Sequence, residues 1–223
     1  MASIHFWSFS SLMNYERCPY SVSPERWPYD PSKANAPRPE AAQRGIDAHS
    51  EIEKYLIRQE DYESPYPNLP FDELTKKHPQ CELKLGVDNY WKPHDYKGAW
   101  LKIICDAVLI NNEEKRLTIY DWKTGKRDYN EVKHTQQLIL YMCVASMNYP
   151  LIQSFTSELW YIDHDKIITN KTYTKDQLTP IAMRWDTRGK KMTTDETFIA
   201  KPSKSNCRFC DHKEECEFAY ELS

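Results

Sequence analysis

The chain has 223 residues, with 30 Lys and Arg against 33 Asp and Glu, for a formal net charge of −3. That balance excludes a protein that coats nucleic acid by bulk charge, though not one with a local basic groove. A hydrophobic fraction of 40% fits a folded domain of ordinary size, and no apolar run approaches the roughly 20 residues that cross a membrane.

Residues 8–17 read as a short helix running into Cys18-Pro19, followed by a proline-rich loop over 19–39. From Glu40 to about Gln59, Ile46, His49, Ile52 or Glu53, and Leu56 recur at helical spacing. Residues 60–80 hold four prolines and several acids and are expected to form an exposed excursion. Three strands are predicted next, over 82–87, 99–110 and 115–122, with Asn111–Glu114 as the loop of the second hairpin. A helix is expected over 131–147, then a hairpin of 155–162 and 166–172 across Asp163-His164-Asp165, then a helix over 175–190. The tail from Pro202 is short, polar and rich in cysteine. This order describes a mixed α/β core containing a three-stranded meander.

The densest chemistry lies in Asp121-Trp122-Lys123-Thr124-Gly125. Residues two apart on a strand share a face, so Asp121 and Lys123 project side by side before a glycine turn. Upstream, Asp106 interrupts the apolar run Leu101–Leu109. A carboxylate there is costly unless it is paired or binds a cation, and hairpin pairing brings it toward Asp121. Two converging carboxylates and a lysine suit metal-assisted phosphodiester hydrolysis, because Mg²⁺ takes oxygen ligands and lysine stabilises developing anionic charge.

Asp121-Trp122-Lys123-Thr124-Gly125 resembles the third motif of RecB-like nucleases in the PD-(D/E)XK superfamily. Other segments follow in the matching order. Gly45-Ile46-Asp47-Ala48-His49 resembles the helical motif that supplies a metal-binding histidine. Glu82 resembles the glutamate of the first core strand, and Asp106 the metal-binding aspartate of the second motif. Gln137-Leu138-Ile139-Leu140-Tyr141 is similar to the Gln-x-x-x-Tyr motif, whose two named residues share a helix face. One departure is Ile103, where family members usually carry glycine. The resemblance implies a restriction-endonuclease-like α/β core with a mixed central sheet flanked by helices. It assigns His49, Asp106 and Asp121 to Mg²⁺ or Mn²⁺, Lys123 to catalysis, and Glu82 to water or a second metal. Gln137 and Tyr141 are then expected to orient substrate.

Seven cysteines cannot all pair in internal disulfides. The N-terminal residues lack the basic start and long apolar core of a secretory signal. A cytoplasmic location is therefore expected, where clustered cysteines more often hold metals than disulfides. Cys207, Cys210 and Cys216 leave a tetrahedral site one ligand short, and Cys18 is the natural fourth, with His212 as a substitute. Cys81, Cys105 and Cys143 are expected to be buried thiols. Four thiolates suit zinc or an iron–sulfur cluster. Ser8–Leu12 followed by Cys18-Pro19 and a distal cysteine triple resembles the 4Fe-4S nucleases of the AddB type and the CRISPR-associated RecB-like exonucleases, which favours the 4Fe-4S cluster. Such a staple, closing a loop of roughly 190 residues, is expected to add about 4–5 kcal/mol on a chain-entropy model.

Charge is spread unevenly. Residues 47–73 hold eight acids and two bases, whereas 184–204 hold six bases and three acids. Lys126, Arg127 and Lys133 flank the acidic hairpin and are candidate phosphate contacts. The sequence thus describes a single nuclease domain over 1–223, with its core at about 40–190 and cluster-binding segments at about 8–20 and 202–223. Its expected activity is metal-dependent DNA exonucleolysis in recombination, repair or phage DNA metabolism, on DNA with a single-stranded end. Recombination or CRISPR adaptation proteins are candidate partners. Alternatives are an endonuclease, a prespacer-trimming nuclease, or a non-catalytic DNA-binding module of the same fold.

Overall fold

The computed structural model describes residues 3–30, 39–58, 63–125 and 130–220. The chain divides into two compact units, residues 37–183 and residues 1–36 with 184–223.

The 37–183 unit is built on a six-stranded sheet. Strands β1 (Gln80–Val87), β2 (Leu101–Asn111) and β3 (Arg116–Lys123) form the expected antiparallel meander. Helix α4 (Glu131–Asn148) then crosses over, and β4 (Ser154–Tyr161) returns parallel to β3. A parallel return needs such a crossover, because a tight turn can only reverse the chain. β5 (Lys166–Thr169) pairs with β4 and so does the two-residue β6 (Tyr173–Thr174). The predicted strand over 166–172 therefore ends early. Asn170 N still donates to Ser157 O at 2.8 Å, and its side-chain amide donates to Ser157 Oγ, but the regular pairing goes no further.

Helix α2 (Glu40–Arg58) lays Ala48, Ile52 and Leu56 onto a core that includes Tyr120, Trp122 and Trp160 of the sheet. α4 is buried along Leu140–Ser146 on every side. Its weak apolar periodicity follows from that central position, since a helix covered all round has no polar face to keep.

The expected exposed excursion needs correction. Within it, α3 (Phe71–Thr75) buries Phe71, Leu74 and Thr75, and Leu69 is buried just before it. Phe71 meets Trp160 and Trp122 edge-on at centroid distances of 4.7 and 5.5 Å. Five residues are too few to display helical periodicity, and the flanking prolines and acids masked three core residues, Leu69, Phe71 and Leu74. Of the three thiols expected to be buried, Cys105 and Cys143 are, whereas Cys81 is half-buried.

The other unit contains α1 (Phe9–Arg17), a 3₁₀ turn (Pro19–Val22), the C-terminal half of α5 (Lys175–Thr193) and α6 (Lys204–Arg208). Ser8 and Ser11 form a reciprocal capping box at the start of α1. Gly189 sits mid-helix because the fully buried Trp7 fills its side-chain position. A Cβ there would lie 2.5 Å from the indole. Phe9 packs on Trp185, and Tyr15 Oη donates to Asp195 at 2.8 Å. Among the described residues, no helix is long and apolar enough to cross a membrane.

Candidate active site

The β1–β2 register pairs Cys81 with Ala107 and Leu83 with Cys105, so Glu82 stands opposite Asp106. The β2–β3 register pairs Ala107 with Tyr120, which brings Asp106 beside Asp121. Three carboxylates thus occupy corresponding positions on three adjacent strands. Like charges directly across a sheet repel, so the row needs compensating positive charge.

Two groups supply it from the protein. His49, on α2, places Nδ1 3.4 Å from Asp106 Oδ1. Lys123 donates to Asp121 Oδ1 at 2.9 Å, and its Nζ lies 2.7 Å from Oδ2. His49, Glu82 and Asp106 each present a ligand atom within 4.8 Å of the other two, a group that could hold a metal ion. Asp121 lies outside this trio, its carboxylate engaged by Lys123. The other Asp106 oxygen, Oδ2, accepts from Trp122 N at 2.9 Å, which fixes the carboxylate between the strands.

Glu82 adopts φ = +49°. A non-glycine residue in this region costs on the order of 1 kcal/mol, and such strain collects at functional sites. It occurs where the glutamate joins the trio.

The electrostatics follow from burial among like charges. Asp121 is 3% exposed. Burial pushes its carboxyl up to about 6; Lys123 opposes the rise and Asp106 adds to it. Glu82 is also raised, first by burial and then by the charges of Asp106 and Glu53. Burial disfavours the charged His49 imidazole, but its hydrogen bond to Asp106 and that carboxylate's charge raise it above its ordinary value. Lys123 keeps its proton against burial because Asp121 and Asp106 hold it. Asp121 Oδ2 is buried, and its close polar contact is the ion pair with Lys123 Nζ. One imidazole and two carboxylates in reach of each other, beside a third carboxylate paired with Lys123, form a set that could hold a divalent metal ion.

Gln137 and Tyr141 do share one face of α4, where Gln137 Nε2 donates to Tyr141 Oη at 2.8 Å. Burial raises the Tyr141 phenol, with the Asp121 charge adding to the effect. Lys133 is exposed at the start of the same helix, while Lys126 and Arg127 lie outside the described residues.

Contacts at the end of β3 were not legible beforehand. Asp163, in the β4–β5 turn, accepts from Arg44 of α2 and from Gly125 N, and His164 Nε2 lies 3.0 Å from Gly125 O. His134, one turn before Gln137, lies 3.0 Å from Tyr161 Oη through Nδ1.

His134 gives a pH prediction. Burial, followed by the charges of Lys123 and Lys133, lowers its imidazole from 6.5 to about 4. Between those values the unfolded chain binds the extra proton, so stability rises with pH. The contribution is complete above about pH 6.5 and lost as pH falls toward 4. Urea unfolding of His134→Gln should show less loss of stability across this window than wild type.

In the smaller unit, Cys18, Cys207, Cys210 and Cys216 line one cavity. Backbone N–H groups of Lys201 and Tyr220 donate to Cys18 Sγ at 3.3 Å and Cys207 Sγ at 3.4 Å. His212 stacks on Trp27 at 4.0 Å and borders the same cavity. Among the described residues, no three of these sulfurs approach one another within 4.8 Å.

Residues 71–217 match the family model of the PD-(D/E)XK nuclease superfamily. Two solved structures resemble the whole chain. The crystal structure of SSO0001 is 17% identical with a TM-score of 0.53, covering 99% of this chain and 90% of its own. A protein of Eubacterium rectale, named provisionally as an exonuclease, is 13% identical with a TM-score of 0.53, covering 98% and 91%. No curated protein matches the sequence.

Proposed function

The chain belongs to the PD-(D/E)XK nuclease superfamily, and from that premise we propose that it is a metal-dependent DNA exonuclease. The observation that carries this reading is the row of Glu82, Asp106 and Asp121 across three strands, flanked by His49 and Lys123. Clustered carboxylates repel a polyanion unless a cation lies between them. Their presence therefore favours a nuclease over a module that only binds DNA.

His49, Glu82 and Asp106 would hold the divalent ion, with Asp121 alongside. When bound, the ion lowers the pKa of water and neutralises charge on the scissile phosphate. Lys123, kept protonated by Asp121 and Asp106, stabilises the charge that develops on phosphate oxygens and orients the attacking water. Asp121 holds the Lys123 ammonium in place through both carboxylate oxygens. Gln137 offers amide hydrogen-bonding capacity toward the substrate from the face it shares with Tyr141.

The preferred substrate is DNA with a single-stranded end, in recombination, repair or phage DNA metabolism. End-labelled linear DNA and covalently closed circles, each with Mn²⁺, test this. Shortening of linear DNA with intact circles is expected; efficient cutting of circles would assign an endonuclease instead.

The four thiolates are proposed to hold a 4Fe-4S cluster that staples the N- and C-terminal segments of their unit. N–H donors to two sulfurs are the kind of contact that tunes such clusters. Cys210→Ser should lose visible absorbance, bound iron and acid-labile sulfide, and unfold at a lower temperature. A colourless wild type with one equivalent of zinc would overturn the cluster.

A further inference from the structure

β4 runs beside β3 with Tyr161 next to Lys123, so the turns that follow the two strands are neighbours. Ile162 N donates to Lys123 O at 3.1 Å and continues that pairing for one residue. Gly125 then takes φ = +78°, and a Cβ on it would meet nothing within 4 Å. Glycine is required there by backbone conformation, not by space.

The next two residues of the β4 turn hold this glycine by both its polar groups. Gly125 N donates to Asp163 Oδ2 at 2.6 Å, and Gly125 O lies 3.0 Å from His164 Nε2. The same carboxylate receives the Arg44 guanidinium in a fork, Nη1 to Oδ2 at 2.8 Å and Nη2 to Oδ1. Arg44 precedes Gly45 on α2, and a Cβ on Gly45 would come within 3.3 Å of Thr124 Oγ1. Gly45 in turn lies one helical turn before His49. Asp163 therefore ties the helix carrying His49 to the end of the strand carrying Asp121 and Lys123.

Stability is not what this contact chiefly supplies. The Arg44 side chain is 57% exposed, and an ion pair so open to water adds little to folding. A bidentate fork shared with a backbone amide is instead strongly directional.

We propose that Asp163, together with Arg44, is a positioning pair for the hydrolytic reaction, clamping α2 to the Thr124-Gly125 turn and so setting the spacing between the His49–Glu82–Asp106 group and the Asp121–Lys123 pair. The pair acts through those residues and does not touch the reacting atoms. This assignment rests on the nuclease reading above.

The test uses the full chain carrying Asp163→Ala, Arg44→Ala, both together, or Arg44→Lys. With Mn²⁺ and labelled DNA, Asp163→Ala should lower kcat about 10–100-fold with little change in KM, as when supporting partners of a metal site are removed. Its thermal unfolding should stay close to wild type. The double variant should be no slower than Asp163→Ala alone, because both residues act in one contact. Arg44→Lys, which keeps the charge but loses the fork, should fall between wild type and Arg44→Ala. Mn²⁺ titration followed by electron paramagnetic resonance gives a readout independent of turnover. Weaker Mn²⁺ binding by Asp163→Ala is expected. Wild-type kcat and Mn²⁺ affinity in Asp163→Ala, or fully additive losses in the double variant, would overturn the clamp. A wild type that does not hydrolyse DNA would overturn the nuclease reading instead, and Mn²⁺ affinity would then decide the clamp on its own.

Discussion

Asp106→Asn should reduce metal-dependent DNA hydrolysis by at least about a thousandfold without unfolding the protein. Asp106 is the middle member of the carboxylate row. One oxygen accepts from Trp122 N and the other faces His49. Asparagine retains a carbonyl oxygen for Trp122, so the β2–β3 contact can persist while the anionic ligand is lost. The charge of Asp106 also raises Glu82 and Asp121. Removing it relieves that repulsion, and both carboxyls should fall toward their ordinary values. The same charge also holds His49 and Lys123 in their charged forms, so the two effects offset and in metal-free buffer the variant should unfold close to the wild-type temperature. Loss of activity with retained stability separates a catalytic carboxylate from a structural one. Initial rates in Mn²⁺ together with thermal unfolding in chelator make the comparison. Activity within tenfold of wild type would remove Asp106 from the reaction.

Phe71→Ala should destabilise the protein by about 3–5 kcal/mol, the range for deleting a fully buried aromatic ring. Phe71 is 0% exposed and wedged between Trp122 and Trp160, with Tyr66 beyond. Its neighbours are large rings that cannot readily collapse into the space, which places the expected loss high in that range. Trp122 lies between Asp121 and Lys123 and donates its backbone N–H to Asp106. The cavity would thus open behind the catalytic strand, and activity should become more sensitive to temperature. Urea unfolding at neutral pH measures the loss. A change below about 1 kcal/mol would mean that α3 is not docked on the tryptophans.

The carboxylate row was largely legible in the sequence because each strand announced itself. The run around Asp106 is apolar and branched, a four-residue loop follows, and Asp121 and Lys123 sit two apart before a glycine. Antiparallel pairing then brings Asp106 and Asp121 together with little freedom for error. The grouping of Glu82 with His49 and Asp106 was less legible. Glu82 there has a left-handed backbone, which no local pattern signals in a non-glycine residue. The sequence resemblance also assigned Asp121 to the metal; in the structure its carboxylate pairs with Lys123 and stands beside the trio. A spacing of two says that side chains are neighbours; it does not say whether they pair with each other or with an ion.

The remaining misses have one physical origin. Phe71 and Leu74 sit in a single helical turn among prolines and acids, too short for periodicity to appear. Arg44, Asp163 and Gly125 are far apart in sequence and meet only because β4 returns parallel to β3. Tertiary contacts of this kind leave no periodic trace. The cysteines are the opposite case: close spacing of three and a fourth before a proline were readable, and all four border one cavity.

The central claim is that Asp121 and Lys123 perform metal-dependent phosphodiester hydrolysis beside the His49–Glu82–Asp106 group. The most direct measurement is degradation of labelled DNA by wild type, Asp121→Ala and Lys123→Ala, each with Mn²⁺ and with chelator. Cleavage by wild type only when Mn²⁺ is present, lost in both variants, is the predicted result. Cleavage that survives chelation, or that either variant retains in full, would contradict it.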